Sequence, residues 1–178
     1  MLLKLFRCVD DDPMIATTGA SSDARAPRVL KVGTDFSGME MPLMALDKLG
    51  VAYEHRFSSD SAKHCRTYIE AATQPGICYE TVCGRNERKM PYVDTYVFSP
   101  PCQPYSKAGK GAGAADPSRG QLVKHSLKYM KVQRPRLAIM EQVATIIDRH
   151  PKMFKKITHT MQKMGYKVFW KRINTSQW

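Results

Sequence analysis

No apolar run in the 178-residue sequence approaches the ~18 residues that a membrane-spanning helix needs, so no such helix is expected. The opening MLLKLF is too short for a secretory leader, and Arg7, Asp10, Asp11 and Asp12 follow it closely. Both features point to an intracellular chain, nuclear if the source is eukaryotic and cytoplasmic if it is bacterial. CxxC pairs are missing too. Cys8, Cys65, Cys78, Cys83 and Cys102 are odd in number and scattered, which argues against a disulfide framework and for a reducing compartment. Cys78 and Cys83 could reach one metal, but no second close pair completes a four-ligand set, and no metal is expected. Acidic residues are scarce towards the end. Residues 119–178 hold 14 basic and 2 acidic side chains, whereas residues 1–118 hold 14 of each. The whole net charge of +12 therefore sits in the last third. That charge suits a phosphate backbone, and it equally suits a solvated surface facing acidic neighbours.

What is present is an alternation of periods. Residues 1–27, with TTGASSDARAP, read as a flexible lead-in. Residues 28–178 read as one ordered unit. RVLKVGTDF predicts a buried strand ending near Thr34, and Met41, Leu43, Met44, Leu46 and Leu49 predict a helix that Gly50 closes. VAYEHRFSS, GICYETV, VDTYVFS, PRLAIMEQV and YKVFWKRIN supply further strands. Helices are expected over residues 61–72, 120–131 and 151–164. Met41 and Met44, like Met153, Met161 and Met164, read as core side chains. Such alternation predicts a doubly wound, mostly parallel α/β sheet with helices on both faces. Ligands in such sheets bind at the carboxyl ends of the strands. Residues 35–40, Asp60, residues 100–103 and Glu141 all fall at such ends and should converge.

Each candidate has two readings at this point. Gly38 in DFSGM permits close approach of a ligand to a strand-to-helix turn, or simply makes the turn. The turn lacks the three glycines of a dinucleotide fingerprint. Asp60 could accept ribose hydroxyls or cap the next helix, and Glu80 could similarly face a nucleoside. Cys102, in FSPPCQPYSKAGKG, is a nucleophile or a packed thiol. No histidine near it has a clear orienting partner, so a protease-like dyad is poorly supported. Glu141 is the better companion: a carboxyl in apolar surroundings holds its proton more tightly. Lys107, Lys110 and Arg119 flank the glycines of a loop that could close over a polyanion. GKGAG lacks the Lys-Ser/Thr ending of a phosphate loop.

Taken in order, these motifs resemble the cytosine-C5 DNA methyltransferase family over about residues 28–178. DFSGMEMPLMAL is similar to its first motif, FSPPCQPYSKAGKG to its nucleophile motif and following loop, DPSRG to the stretch after that loop, and MEQV to its Glu-Asn-Val. The resemblance implies a Rossmann-like core that uses S-adenosylmethionine. Phe36, Ser37 and Gly38 would lie along the cofactor, Asp60 would hold its ribose hydroxyls, Glu80 its adenine side, and Pro101 would frame the pocket. Cys102 would add to C6 of a flipped cytosine, Glu141 would bind near N3 and the exocyclic amine, and Arg119 would steady the region. The loop of residues 106–115 would close behind the base. DNA is the implied partner. A tRNA cytosine is compatible with the same core chemistry, and a non-catalytic or split-enzyme cofactor-binding subunit is the alternative of a different class.

Two departures bear on this expectation. Gln142 stands where the family has Asn, which should weaken local positioning, and Met39-Glu40 stands where a second glycine is common. Family members also continue past a segment like NTSQW into a last sheet strand and a target-reading domain. The core is therefore expected to lack its last strand, leaving residues 166–174 without a ladder partner. A truncated enzyme, or one completed by a second polypeptide, is the implied state.

Overall fold

The computed structural model describes the backbone of residues 2–8, and residues 29–106, 113–116 and 119–174. Seven strands form one sheet: β1 (Leu2–Cys8), β2 (Leu30–Asp35), β3 (Tyr53–Ser59), β4 (Cys78–Tyr79), β5 (Thr95–Phe98), β6 (Leu137–Gln142) and β7 (Tyr166–Arg172). Between them run α1 (Met41–Lys48), α2 (Lys63–Ala72), α3 (Val123–Gln133), α4 (Thr145–Arg149) and α5 (Pro151–Lys163). The strand order is β4-β3-β2-β5-β6-β1-β7. The first five strands in that order are parallel, and β1 is antiparallel to both of its neighbours. This is the doubly wound, mostly parallel Rossmann-like sheet that the sequence implies. Among the described residues no helix is long and apolar enough to cross a membrane.

β1 corrects two expectations. Residues 166–174 were expected to lack a partner, yet β7 pairs with β1 from Leu2↔Arg172 to Cys8↔Tyr166. The other edge of β1 pairs with β6 from Leu2↔Gln142 to Arg7↔Leu137. Residues 2–8 are therefore a strand and not part of a flexible lead-in; residues 9–28 lie outside the described residues. The physical reason is backbone satisfaction. A gap between β6 and β7 would leave two rows of N–H and C=O groups unpaired, and one antiparallel strand satisfies both.

The main core lies on one face of the sheet. Tyr96 and Phe98 of β5 stack with ring centroids 5.1 Å apart, and Tyr129 of α3 lies 4.7 Å from Tyr96. Ala138 and Met140 of β6 and Ile157 and Met161 of α5 complete it, the last two one helical turn apart on a single buried stripe. Gly33 is required at the centre of β2, because a Cβ there would sit 2.3 Å from the Phe57 ring. Met161 is fully buried as expected, and Met153 and Met164 pack against the core. Met41 and Met44 do not: they are 64% and 41% exposed. α1 spans only two turns and buries Leu43 towards the sheet, so its neighbours at other angles face solvent.

Candidate active site

Two groups of residues meet at the carboxyl ends of the central parallel strands. The first is the turn after β2. Phe36, Gly38 and Glu40 all have positive φ, at 57°, 54° and 54°. A turn so wound points successive backbone groups to one side, and nothing lies within 4 Å of where a Gly38 Cβ would be. Ser37 ties this turn to β3: its amide donates to the Ser59 carbonyl at 3.1 Å, and its hydroxyl accepts from the Ser59 amide at 3.1 Å. Asp60 reinforces the tie. One carboxylate oxygen accepts from the Gly38 amide at 2.9 Å and the other from the Ala62 amide at 2.9 Å. α2 begins at Lys63 with no side-chain cap, so Asp60 braces the turn and does not cap the helix. Each oxygen keeps a free lone pair, so the carboxylate can still accept a ligand hydroxyl.

Arg66 was not singled out from the sequence, yet it links two residues that were. Its guanidinium donates to the Asp60 carbonyl at 3.0 Å and to the Glu80 carboxylate at 3.3 Å. Glu80 is otherwise exposed, on the wall of an open cavity of about 300 Å³ shared with Tyr79, Cys83, Asn86 and Lys89. The glycine turn and Asp60 are not on the wall of that cavity; the open turn with an acceptor carboxylate beside it suits a ligand that carries hydroxyls.

Asp35, immediately before the turn, is structural. It is 1% exposed and receives the Arg85 guanidinium in a bidentate pair at 2.6 and 2.7 Å, the Ser59 hydroxyl at 2.7 Å, and the Tyr96 hydroxyl. Burial, and then the Asp35 charge, push the Tyr96 hydroxyl well above its usual range, so it stays a donor. Arg85 comes from the polar tract GRNERK, which carries no sequence signal of burial.

The second group lies on β5 and β6. These strands run parallel with Phe98 opposite Met140, so the Pro-Pro-Cys-Gln-Pro turn leaves β5 beside Glu141 and Gln142. Gln142 is buried; its amide NH₂ donates to the Pro100 carbonyl at 3.0 Å, and its oxygen accepts from the Val143 amide at 2.9 Å. The longer amide thus clasps the Pro-Pro-Cys-Gln-Pro turn directly. Beyond it, the Tyr105 amide donates to the Cys102 carbonyl at 2.9 Å, and the Thr145 hydroxyl on α4 donates to the Tyr105 carbonyl at 2.6 Å. Cys102 and Pro101 are half-buried. Glu141 is half-buried as well, and burial raises its pKa above the ordinary carboxylate value. Arg119 is exposed; it lines a small cavity under this turn with Pro100, Tyr105 and Gln142, and neither Cys102 nor Glu141 is on that wall. The two groups are joined where the Ser99 amide donates to the Asp35 carbonyl at 3.3 Å. Lys107 and Lys110, and the larger part of the expected closing loop, lie outside the described residues. Among the described residues no three His, Cys, Asp or Glu side chains gather as a metal site.

Residues 34–178 match the model of the C-5 cytosine-specific DNA methylase family, a span that includes both groups. The chain belongs to the C-5 cytosine-specific DNA methylase family. Within this family, the chain is similar to the Type II methyltransferase M.NgoBI of Neisseria gonorrhoeae, at 29% identity over 143 residues that cover 79% of this chain and 43% of that protein. It is 37% identical to the Type II methyltransferase M1.HphI of Haemophilus parahaemolyticus over 51% of this chain and 24% of that one. Among solved structures, the Dnmt2 methyltransferase of S. pombe shares the fold with a TM-score of 0.58 at 14% identity, over 78% of this chain and 41% of that one. The methylase chain therefore spans less than half the length of these relatives.

Proposed function

We propose that the chain transfers a methyl group from S-adenosylmethionine to C5 of cytosine in DNA, with Cys102 as the covalent nucleophile. The observation that carries this reading is the parallel pairing of β5 with β6, which sets the Pro-Pro-Cys-Gln-Pro turn beside Glu141 while Gln142 holds Pro100. Family membership supplies the reaction class. S-adenosylmethionine, when bound, supplies an electrophilic methyl group. Phe36, Ser37 and Gly38 would line its methionine part, Asp60 its ribose hydroxyls, Glu80 its adenine side, and Pro101 the wall between donor and base.

The chemistry needs C5 of cytosine to become nucleophilic. The Cys102 sulfur adds to C6, and the C5–C6 double bond shifts its electron pair towards C5. Glu141, protonated more readily than an ordinary carboxyl because it is half-buried, donates to N3 and spreads the developing negative charge. C5 takes the methyl group. A base then removes the C5 proton, the double bond re-forms, the S–C6 bond breaks to return the thiolate, and N3 gives its proton back to the Glu141 carboxylate. The target base must leave the helix stack to reach the turn. Arg119 would steady the base of the nucleophile loop. The basic last third supplies attraction to the phosphate backbone.

The test is methyl transfer from radiolabelled S-adenosylmethionine to DNA and to RNA oligonucleotides. Label in DNA that is lost in Cys102→Ser supports the reading. Label in RNA alone replaces DNA by RNA as substrate. Donor binding with no transfer to either oligonucleotide overturns the catalytic reading in favour of a cofactor-binding subunit.

A further inference from the structure

Glu40 has no solvent exposure, although it is charged in solution and stands in the turn after β2. Its backbone is left-handed, with φ 54° and ψ 42°, a conformation that favours glycine. That backbone closes the turn and starts the helix. The Glu40 amide donates to the Ser37 carbonyl at 2.9 Å, and its carbonyl accepts the Leu43 and Met44 amides at 3.0 and 3.3 Å. The side chain does not cap α1. It turns back under the sheet, where Oε1 accepts the Thr34 hydroxyl of β2 at 2.7 Å and the Ser58 hydroxyl of β3. Thr34 in turn shares a hydrogen bond with the Ser37 hydroxyl at 2.7 Å. One carboxyl therefore joins two strands to the turn that faces the donor site. Its Oε2 is enclosed without a hydrogen-bond partner.

We propose that Glu40 is a positioning residue for the methyl donor: its carboxyl locks residues 36–38 onto β2 and β3 in the shape that receives the donor. This rests on the cofactor reading given above. A glycine at position 40 would adopt the same φ freely but would carry no anchor, so the turn would sample other shapes. The glutamate accepts a backbone conformation it disfavours and fixes it through buried hydrogen bonds.

The groups facing this carboxyl set how it responds to pH. His55 Nε2 lies 3.6 Å from Oε1 and 2.8 Å from the Ser58 hydroxyl, and burial lowers the His55 pKa. Burial raises that of Glu40, and the nearby Asp60 charge adds to it. Tyr53 and Cys78 also lie within the field of Glu40. The Ser58, Thr34 and Ser37 hydroxyls pull the other way, towards the charged carboxyl, but burial outweighs them. The stabilisation that burial gives the neutral form is present below the ordinary carboxylate range and is lost as pH rises through the raised Glu40 pKa.

The experiment compares wild type, Glu40→Gln and Glu40→Gly by calorimetric titration with S-adenosylmethionine between pH 5.5 and 8.5, and by amide hydrogen exchange without ligand. Glu40→Gly should bind roughly tenfold more weakly, the size expected for two lost buried hydrogen bonds. It should speed exchange at residues 37–40 while leaving β5 and β6 protected. Glu40→Gln keeps the acceptor, so it should restore binding to within about threefold and flatten the pH dependence. Wild-type exchange rates in Glu40→Gly overturn the anchoring, and so does a Glu40→Gln as weak as Glu40→Gly. A wild-type chain that binds no donor overturns the cofactor reading instead, and the exchange comparison still decides the anchor.

Discussion

Replacing Arg85 with Met should unhook the base of the turn after β2. The Asp35 carboxylate is 1% exposed and takes two of its hydrogen bonds from the Arg85 guanidinium, at 2.6 and 2.7 Å. Methionine fills much of the same volume but offers no donor and no charge. Ser59, Tyr96 and Ser126 would remain, all neutral, around an uncompensated buried anion. Breaking a buried pair in this way costs about 3–5 kcal/mol, whereas replacing both partners costs far less. Against a typical total of roughly 5–15 kcal/mol, the single substitution removes a large part of the stability. At a urea slope of about 2 kcal/mol per molar, the unfolding midpoint should fall by roughly 2 M. Far-UV circular dichroism in urea measures it directly. An unpaired buried carboxylate takes up a proton, so the deficit should shrink in acid. The double variant Asp35→Asn with Arg85→Met should recover most of the loss. A single-variant cost below about 1 kcal/mol, with no pH dependence, would refute the claim that this pair is a buried, mutually compensating unit.

Deleting residues 1–9 should expose the facing edges of β6 and β7. The expected result is faster hydrogen exchange across both strands and concentration-dependent association in size-exclusion chromatography; unchanged exchange would contradict the β1 pairing. Gly33→Ala places a Cβ about 2.3 Å from the Phe57 ring and should cost about 1–3 kcal/mol in the same urea assay. Glu141→Gln should change the pH profile of methyl transfer. The protonated acid is fully present below the ordinary carboxylate range and is lost as pH rises through its raised pKa, so the wild-type to variant rate ratio should fall with increasing pH. A ratio that does not change with pH would remove Glu141 from the proton-donating role.

The parallel core was legible because each central strand is a short apolar run bounded by turn residues, and each long helix shows a 3.6-residue stripe. Strand ends likewise put the turn after β5 and Glu141 of β6 on neighbouring parallel strands. β1 was not legible. LLKLFRC has strand composition, but its partners lie some 130–170 residues away, and pairing so distant leaves no local periodic signal. α4, only five residues of TIIDR, is too short for a periodic pattern to show. The Asp35–Arg85 pair spans 50 residues and joins a strand end to a tract that reads as solvated loop. Glu40 was visible only as a departure from glycine. Its burial depends on hydroxyls from two strands that come together only in the folded sheet. Met41 and Met44 misled because an apolar stripe on a two-turn helix need not all be covered.

Covalent capture tests the central claim most directly. The chain is incubated with S-adenosylmethionine and a DNA oligonucleotide carrying 5-fluorocytosine, in which the C5 fluorine blocks the final proton loss and stalls the cycle at the adduct. The account predicts a denaturation-resistant complex whose cross-linked peptide, read by mass spectrometry, carries the base on Cys102, and no complex from Cys102→Ala. Donor binding with no adduct, or an adduct that survives in Cys102→Ala, would contradict it.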